Sequence, residues 1–469
     1  MNQMCAIGLL LATLLPTWTA AQTLAFTHVT VIDATGRPAQ RDQTVVIAGD
    51  RIAAIGKTGR VAVPKEATAV DAAGKFLIPG LWDMHVHTLR QNTFLRLYLA
   101  NGITGVRDMS SPIENMSGWR KAVADGATWP RVYAAGPLVD GPYPIYPRSI
   151  AVATTAEGRA AVATLKKLGA DFVKIYSLLG REEYFALAGE AKKQGIPFAG
   201  HVPELVTAIE ASDAGQKSFE HLMGIFRACS RREQEFLAEA KKYLPKPDTA
   251  NFLALYGAQY SAIIGAFDEK KAAALFQRLA ANGTWQTPTL AALRGVAYMD
   301  VMDFAKDLRM KYVSRSQREG WDPKNDFRFR DNTVEEYASA KRDFRKQVEV
   351  VGRMHRAGVP ILAGSDTPNV RCIPGFSLHD ELTLLVEAGL KPIEALQAAT
   401  RNPARYFGVA DSLGTVEAGK IADLVLLDAN PLEDIRNTQR IAAVVVRGKL
   451  LARPHLDALL AEVEARVKE

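Results

Sequence analysis

The sequence predicts an α/β protein: a (β/α)8, TIM-like barrel with a small β-sandwich domain built from both ends of the chain. Three observations support this prediction. Short apolar runs alternate with helical patterns between residues 77 and 408, which is typical of parallel βα units. Eight such runs can be counted, the number of strands that closes a barrel of this kind. Both ends of the chain are instead rich in strand-forming residues.

The first 21 of the 469 residues form a segment of their own. An apolar run over 7–15 is followed by Pro16 and by the small residues Thr19 and Ala21, as in a secretory signal peptide. A buried N-terminal helix and a short anchor are the alternatives. We therefore expect a secreted or periplasmic protein, and no membrane span, because no apolar run is long enough to cross a bilayer.

The small domain is predicted from residues 22–76 and 409–452. Residues 45–57 alternate in polarity around Gly49-Asp50, which indicates a hairpin. At the other end, the β-rich runs are 422–428 and 441–451, and apolar residues at helical spacing predict a terminal helix over 453–469.

The barrel is assigned to residues 77–408. Long, largely helical connections at 223–284 and 291–359 follow strands, so they are expected on the carboxyl-terminal face, as a lid or as decoration. The predicted strands are 77–88, 104–109, 131–139, 171–176, 197–202, 218–222, 285–290 and 360–366.

Charge and cysteine content narrow the class of protein. The net charge of +7 is spread along the chain without a basic block, so nucleic acid is not an expected partner and a small-molecule substrate is. Cys229 and Cys372 each follow a predicted strand. A disulfide between their loops and two buried free thiols both remain open, because the sequence does not give their distance.

Metal-binding side chains stand at the ends of five predicted strands. His85 and His87 are two residues apart on one strand, so their imidazoles point to the same face. Imidazole is a common ligand of zinc and similar metals. The other candidate ligands, each at the end of another strand, are Lys174, His201, His221 and Asp366.

Lys174 is unusual because its strand is otherwise apolar. Burial lowers the pKa of a lysine, and a neutral amine can react with carbon dioxide to form a carbamate able to bridge two cations. An ammonium paired with a carboxylate is the alternative. Asp366 can bind a metal and accept a proton, or cap the next helix. His379, at the start of that helix, is predicted either to contact substrate or to be structural.

These residues occur within a recognisable set of motifs. PGLWDMHVH at 79–87, NGITGVRDM at 101–109 and GTVEAGKIADLVLLD at 414–428 resemble the amidohydrolase superfamily, as do the strand lysine, the later histidines and the final aspartate. FVKIY, FEHL and GFSLHDEL are similar to the imidazolonepropionase-like branch that includes binuclear Xaa-Pro and Xaa-Arg dipeptidases.

The resemblance implies two divalent metal ions, zinc being usual, bridged by carboxylated Lys174 and a hydroxide. One ion is assigned to His85, His87 and Asp366, and the other to His201 and His221. The implied reaction is hydrolysis of an amide C–N bond, in dipeptides or N-acyl amino acids, with Asp366 as proton shuttle.

One position departs from the family pattern. Dipeptidase relatives often have tyrosine two residues after the fifth-strand histidine, and this chain has Pro203. Carbonyl polarisation is then left to Tyr176, His379 or the second metal. A substrate carboxylate could meet arginines of the two long connections, although a solvated surface position is the better expectation for most of them: Arg227, Arg309, Arg328 and Arg330.

Four functions therefore stay open at this stage. A binuclear amidase or dipeptidase is favoured. The alternatives are a mononuclear hydrolase of cyclic amides or deaminase, a lactonase or other ester hydrolase on the same metals, and a metal-free barrel that acts only in interactions. A homo-oligomer is compatible with the sequence.

Overall fold

The computed structural model describes residues 23–88, 91–243, 259–301, 306–326 and 329–468. The predicted signal peptide and Arg328 lie outside the described residues. None of the helices within these ranges is both long and apolar enough to cross a membrane.

The strands are numbered in chain order. Their bounds are β1 Thr23–Val31, β2 Gln40–Ala48, β3 Arg51–Lys57, β4 Thr68–Asp71, β5 Phe76–Pro79, β6 Leu81–Val86, β7 Ile103–Asp108, β8 Arg131–Ala134, β9 Val139–Asp140, β10 Ile150–Ala151, β11 Val173–Ile175, β12 Phe198–Gly200, β13 Ser218–Glu220, β14 Trp285–Thr287, β15 Leu424–Leu427, β16 Ile441–Val446 and β17 Lys449–Ala452.

The α-helices are numbered in the same way, and the two long connections contain several of them. Their bounds are α1 Gln91–Ala100, α2 Ile113–Ala124, α3 Thr155–Lys167, α4 Arg181–Gln194, α5 Ala208–Asp213, α6 Ile225–Ala228, α7 Glu233–Tyr243, α8 Glu269–Asn282, α9 Leu290–Ala297, α10 Arg315–Gly320, α11 Val334–Arg356, α12 Phe376–Glu387, α13 Pro392–Ala398, α14 Arg401–Phe407 and α15 Arg453–Arg466.

Both ends of the described chain contribute to one eight-stranded sheet. Its order is β17-β16-β15-β5-β1-β2-β3, with β4 paired to β1. The predicted hairpin is observed as β2 and β3, and Gly49 makes the turn at a φ of 61°, a left-handed conformation that glycine adopts without strain. An apolar cluster fills one face of this sheet, including Phe26, Ile47 and Leu424.

The parallel strands form two further sheets, β6-β7-β8 and β10-β9-β11-β12-β13-β14. Segment 360–367 lies between them and is hydrogen-bonded on both sides. The Leu362 amide donates to the Gln286 carbonyl (2.9 Å), and the Asp366 amide donates to the His85 carbonyl (2.7 Å). The eighth predicted strand is therefore observed as a bridging segment, and it brings the carboxyl ends of β6 and β14 close together.

The first predicted strand differs from expectation, because it is divided at Gly80 into β5 and β6. The Gly80 amide donates to the Asp423 carbonyl (2.7 Å), so β5 stays in the eight-stranded sheet while β6 joins β7. A Cβ at this position would lie 2.1 Å from the Thr104 Oγ1, so only glycine fits. The strand that carries His85 thus begins at a fixed junction between two sheets.

Both cysteines of the described chain are free and buried. Of the two alternatives left open by the sequence, the pair of buried thiols is the one observed for Cys229 and Cys372.

Candidate metal centre

The predicted ligands meet at one edge of the parallel strands. The Asp366 Oδ1 lies 3.2 Å from the His87 Nε2 and 3.4 Å from the His85 Nε2. The donor atoms of these three residues all lie within 4.8 Å of one another, close enough to share one metal ion. The ring centres of His201 and His221 lie 5.1 Å apart, and His221 is 4.5 Å from His85.

Three of the histidines are held through their Nδ1 atoms. A proton on each Nδ1 satisfies these bonds and leaves each Nε2 lone pair free, the form in which imidazole binds metals. Burial lowers the pKa of His85 and of His201 well below the usual range and that of His221 to about 4, so the rings are neutral at neutral pH. The partners are Glu220 Oε2 for His85 (2.8 Å), Ser177 Oγ for His201 (2.8 Å) and Thr289 Oγ1 for His221 (2.7 Å).

One buried atom tests whether a metal ion fits this group. The Nε2 of His85 is fully buried and has no hydrogen-bond partner in the described part of the chain. A buried polar atom without a partner costs about 1–3 kcal/mol, and a bound cation would remove that cost. Neutral imidazoles beside a carboxylate are also a donor set that zinc accepts. The residues present therefore fit a divalent metal.

Lys174 is buried beside this group, with 1% of its surface exposed. Within the described ranges its ammonium forms no hydrogen bond or ion pair, although Glu220 and Asp366 attract its charge from a greater distance. Burial lowers the pKa of Lys174 to about 8. Its side chain passes over Gly200, where a Cβ would lie 2.8 Å from the Lys174 Cδ. Only glycine at position 200 leaves room for the Lys174 side chain.

Side-chain hydrogen bonds hold the segment around Asp366 in place. The Asp83 carboxylate accepts hydrogen bonds from the Ser365 amide (2.9 Å) and hydroxyl (2.5 Å). Asn369 donates to the Asp366 Oδ2 (2.8 Å). Burial opposes the charge of Asp366, but His221 and His87 lower its pKa to about 2, so it is a carboxylate at neutral pH. Asp366 therefore bonds to its neighbours as an acceptor.

Aromatic rings border the centre on the His201 side. The Tyr176 ring lies 4.1 Å from the His201 ring, and Tyr146 lies 5.6 Å from Tyr176, edge to face. Burial raises the pKa of Tyr176 well above its usual value, so its hydroxyl keeps its proton. Tyr146 and Tyr143 remain half-exposed. This wall gives the site one apolar side.

The geometry favours the structural alternative for His379. Its ring is buried between two other elements, with Nδ1 bonded to the Thr438 hydroxyl (2.9 Å) and Nε2 to the Asn101 carbonyl (3.1 Å). Both ring nitrogens are occupied, so a substrate contact at His379 has no atom to use. The residue connects α12 to the end of α1 and to the 3-10 turn before β16.

The arginines are engaged elsewhere as well. Arg227 is not a surface residue, because it is 7% exposed and paired with Glu204. Arg309 lines a cavity of about 160 Å³, where its guanidinium is bound by Asp307 and Asp380. Arg330 is solvent-exposed next to Asp331.

Replacing His379 with glutamine should remove a pH-dependent part of the stability. Burial lowers the pKa of His379 to about 4, whereas an unfolded histidine titrates near pH 6.5. The folded state therefore binds fewer protons, and wild-type stability is lost as the pH falls from about 6.5 to about 4. In denaturant unfolding of the metal-free protein, the wild-type advantage over His379→Gln should shrink by about 3 kcal/mol across that window.

The exposed His455 supplies the control for this measurement. His455→Gln should follow the wild-type pH profile throughout. A difference between wild type and His379→Gln that stays constant from pH 7 to pH 4 would contradict the buried, neutral state of this ring.

Some residues of the site were not predicted. The buried Glu220 accepts from His85 and is itself bound by the buried Arg107, whose Nη2 lies 2.8 Å from the Glu220 Oε2. Ser177 and Thr289, which hold His201 and His221, were also missed. Glu220 and Arg107 lie in strands of mixed polarity, Ser218–Glu220 and Ile103–Asp108, which lack the apolar run that made Lys174 stand out. No comparable signal marks Ser177 or Thr289.

Comparison with known proteins identifies the family. The amidohydrolase family profile matches residues 76–451, and the chain belongs to this family. An imidazolonepropionase from Aromatoleum aromaticum is 42% identical over 79 residues, 16% of this chain and 18% of that protein. An ochratoxinase from Aspergillus niger is 39% identical over 104 residues, 21% of each chain. The matched segments thus span about a fifth of these curated relatives.

Solved structures match over nearly the whole chain. A putative prolidase from Bifidobacterium longum is 25% identical, with a TM-score of 0.66 over 95% of this chain and 99% of that one. The resemblance predicted from the sequence motifs is therefore confirmed, both for the family and for its prolidase-like structural neighbours.

Proposed function

We propose that this protein is a metal-dependent hydrolase that cleaves an amide C–N bond in a small molecule. The observation that carries this proposal is the buried, unpartnered His85 Nε2, which faces the Asp366 carboxylate among neutral imidazoles. The family assignment supports the same class of reaction. We also propose that segment 360–367 closes the parallel strands into the predicted barrel, with the centre at its carboxyl-terminal end.

Two divalent ions fit the residues present. His85, His87 and Asp366 would hold one ion, His201 and His221 the other, with a carbamate on Lys174 between them. When bound, such ions polarise a substrate carbonyl and lower the pKa of water. Zinc is the expected metal, because nitrogen donors predominate.

The chain's own residues would move the proton and orient the substrate. The ionised Asp366 carboxylate accepts the proton of the attacking water and returns it to the leaving nitrogen, so that water and amide give acid and amine. Tyr176, which keeps its hydroxyl proton, donates a hydrogen bond to the carbonyl oxygen as negative charge develops there. Tyr176 would thus take the role of the tyrosine that dipeptidase relatives often have after the fifth strand, where this chain has Pro203.

Dipeptides and N-acyl amino acids are the proposed substrates, supported by the prolidase-like structural neighbours. The aromatic wall of Tyr146 and Tyr176 suits an apolar group next to the scissile bond. Cyclic amides and lactones remain the alternative, because an imidazolonepropionase is among the relatives.

Export is proposed from the N-terminal segment, and fractionation of cells that express the whole chain would test it.

The function is tested by counting metals and assaying a substrate panel in parallel. Zinc-loaded protein should contain two ions per chain and hydrolyse members of a dipeptide or N-acyl amino acid library. Cyclic amides and lactones serve as competing substrates. One ion per chain together with a preference for a lactone or cyclic amide would favour the alternative, and a protein that takes up no metal would refute the proposal.

Removing the Tyr176 hydroxyl should slow the chemical step more than it weakens binding. Loss of one donor to a developing oxyanion costs about 100-fold in kcat at the lower end of measured cases. Tyr176→Phe should therefore lower kcat by about that factor while KM changes little. Steady-state kinetics on the best library substrate provides the measurement.

Tyr143→Phe is the matched control, because Tyr143 is three residues from Tyr146 in the chain and its ring is half-exposed. It should retain wild-type kcat. If Tyr176→Phe raises KM without lowering kcat, Tyr176 binds the substrate and does not polarise it.

A further inference from the structure

Thr289 has a strained backbone at the start of α9. It occupies the N-cap position with φ 51° and ψ 46°, in the left-handed region. A β-branched side chain rarely adopts this conformation, which is strained and usually persists only where the surroundings require it. Threonine at an N-cap normally accepts a hydrogen bond from the first turn, yet here the side chain makes no capping bond.

The hydroxyl of Thr289 is used for His221 instead. It donates to the Pro288 carbonyl (2.8 Å), so its oxygen must accept from the His221 Nδ1 (2.7 Å). That bond fixes the proton on Nδ1, which lies 3.7 Å from the Asp366 Oδ2, and leaves the Nε2 lone pair of His221 for a metal ion. The left-handed backbone is the conformation in which the side chain reaches the ring.

The missing cap comes from another helix. Glu381 on α12 is fully buried, and its Oε2 accepts from the Ala291 amide (2.7 Å) in the first turn of α9. Its Oε1 is buried without a partner in the part of the chain that the structure describes. Burial raises the pKa of Glu381 to about 8, which allows a neutral acid to make this contact at neutral pH.

We propose that Glu381 is a positioning residue of the metal centre: it caps α9 in place of Thr289 and so leaves the Thr289 hydroxyl to orient His221. This inference rests on the proposed metal site. It differs from a purely structural cap because it predicts that the effects of the two residues on metal binding are coupled, although within the described residues Glu381 forms no hydrogen bond to a predicted metal ligand.

Two independent readouts test the coupling. Zinc affinity is measured in chelator-buffered solution for wild type, Thr289→Val, Glu381→Leu and the double variant, and amide hydrogen exchange of segment 285–297 is measured on the metal-free proteins. Thr289→Val should lower zinc affinity about tenfold, as expected for loss of one group that orients a ligand, without faster exchange at residue 291. Glu381→Leu should accelerate that exchange and lower the affinity to a similar extent.

The double variant decides the question. Both changes act through His221. The zinc affinity of the double variant should therefore be about equal to that of whichever single variant binds zinc less tightly. Thr289→Ser and Glu381→Gln retain the hydroxyl and the acceptor, so both should bind zinc like the wild type. If Glu381→Leu fails to fold, the comparison of Thr289→Val with Thr289→Ser still tests whether the Thr289 hydroxyl orients His221. Loss of zinc affinity in Glu381→Gln, which keeps the acceptor, would overturn the role of Glu381 as the cap.

Two outcomes overturn the inference. Faster exchange in Glu381→Leu with wild-type zinc affinity would make Glu381 a structural cap alone, and additive losses would show that the two residues act independently. Failure of the proposed function looks different, because then the wild type itself takes up no zinc.

Discussion

Replacing Lys174 with alanine is expected to lower kcat/KM by about 1,000-fold or more, equivalent to about 4 kcal/mol of transition-state stabilisation. The lysine is buried, has a lowered pKa and forms no ion pair in the described chain, so its amine can react with carbon dioxide. In that step the nitrogen bonds to the carbon and a proton leaves, giving an anion with two ligand oxygens. Alanine cannot form the proposed carbamate, so the metal content should fall below the two ions per chain proposed for the wild type.

Small carboxylic acids should restore part of the activity of Lys174→Ala. Formate or acetate can occupy the space left by the side chain and supply a carboxylate at the same place. Lys174→Met is the matched control: it fills the space, cannot form a carbamate and should not respond to added acid. Labelled bicarbonate should also give a carbamate signal in the wild type that is absent from both variants.

Two outcomes would contradict the proposed role of Lys174. If Lys174→Ala keeps wild-type activity and two ions, Lys174 is a buried amine without a role in the centre. Loss of activity without rescue, together with no carbamate signal in the wild type, would mean that the lysine acts as an amine.

The sequence predicts the site best where a side chain that can bind a metal stands at the end of a predicted strand. His85 and His87 could be paired because residues two apart on a strand share a face, and the other ligand candidates could be grouped because each ends a parallel strand. Lys174 was recognisable as a charge in an apolar run. In the structure these six residues lie at one edge, although their roles as ligands remain a prediction.

Contacts between distant segments could not be read in this way. Thr289 and Ser177 are ordinary residues in sequence, and only the fold places their hydroxyls against imidazoles. The division of the first strand depends on the contacts of Gly80 with Thr104 and Asp423, which are far apart in the chain. His379 was ambiguous because a histidine beside a predicted active-site loop can face either way; its orientation depends on Asn101 and Thr438.

The buried ion pair of Arg107 and Glu220, which contacts His85, should affect both the stability of the fold and the binding of metal. The Arg107 guanidinium donates to both Glu220 oxygens (2.9 and 2.8 Å) and to the Met84 carbonyl (2.6 Å). Burial opposes its charge, but Glu220 raises the pKa of Arg107, so the guanidinium stays charged. Glu220 in turn accepts from the His85 Nδ1. One network therefore connects the strands to a predicted ligand.

Breaking the pair from one side should be costly. Arg107→Met leaves Glu220 as an uncompensated buried charge, which typically destabilises a protein by about 3–5 kcal/mol. The metal-free variant should show that loss in denaturant unfolding. Replacing both residues by apolar ones, as in Arg107→Met with Glu220→Leu, removes the buried charges together, and much of the stability should return.

Metal affinity should not return with it. In the double variant the His85 Nδ1 has lost its carboxylate acceptor, so the ring is no longer held in one tautomer and orientation. Loss of such a partner typically costs about 10–100-fold in metal affinity. Recovered stability with wild-type zinc affinity would show that the network supports only the fold, whereas recovered stability with weakened zinc binding would show that Glu220 also orients His85 for the metal.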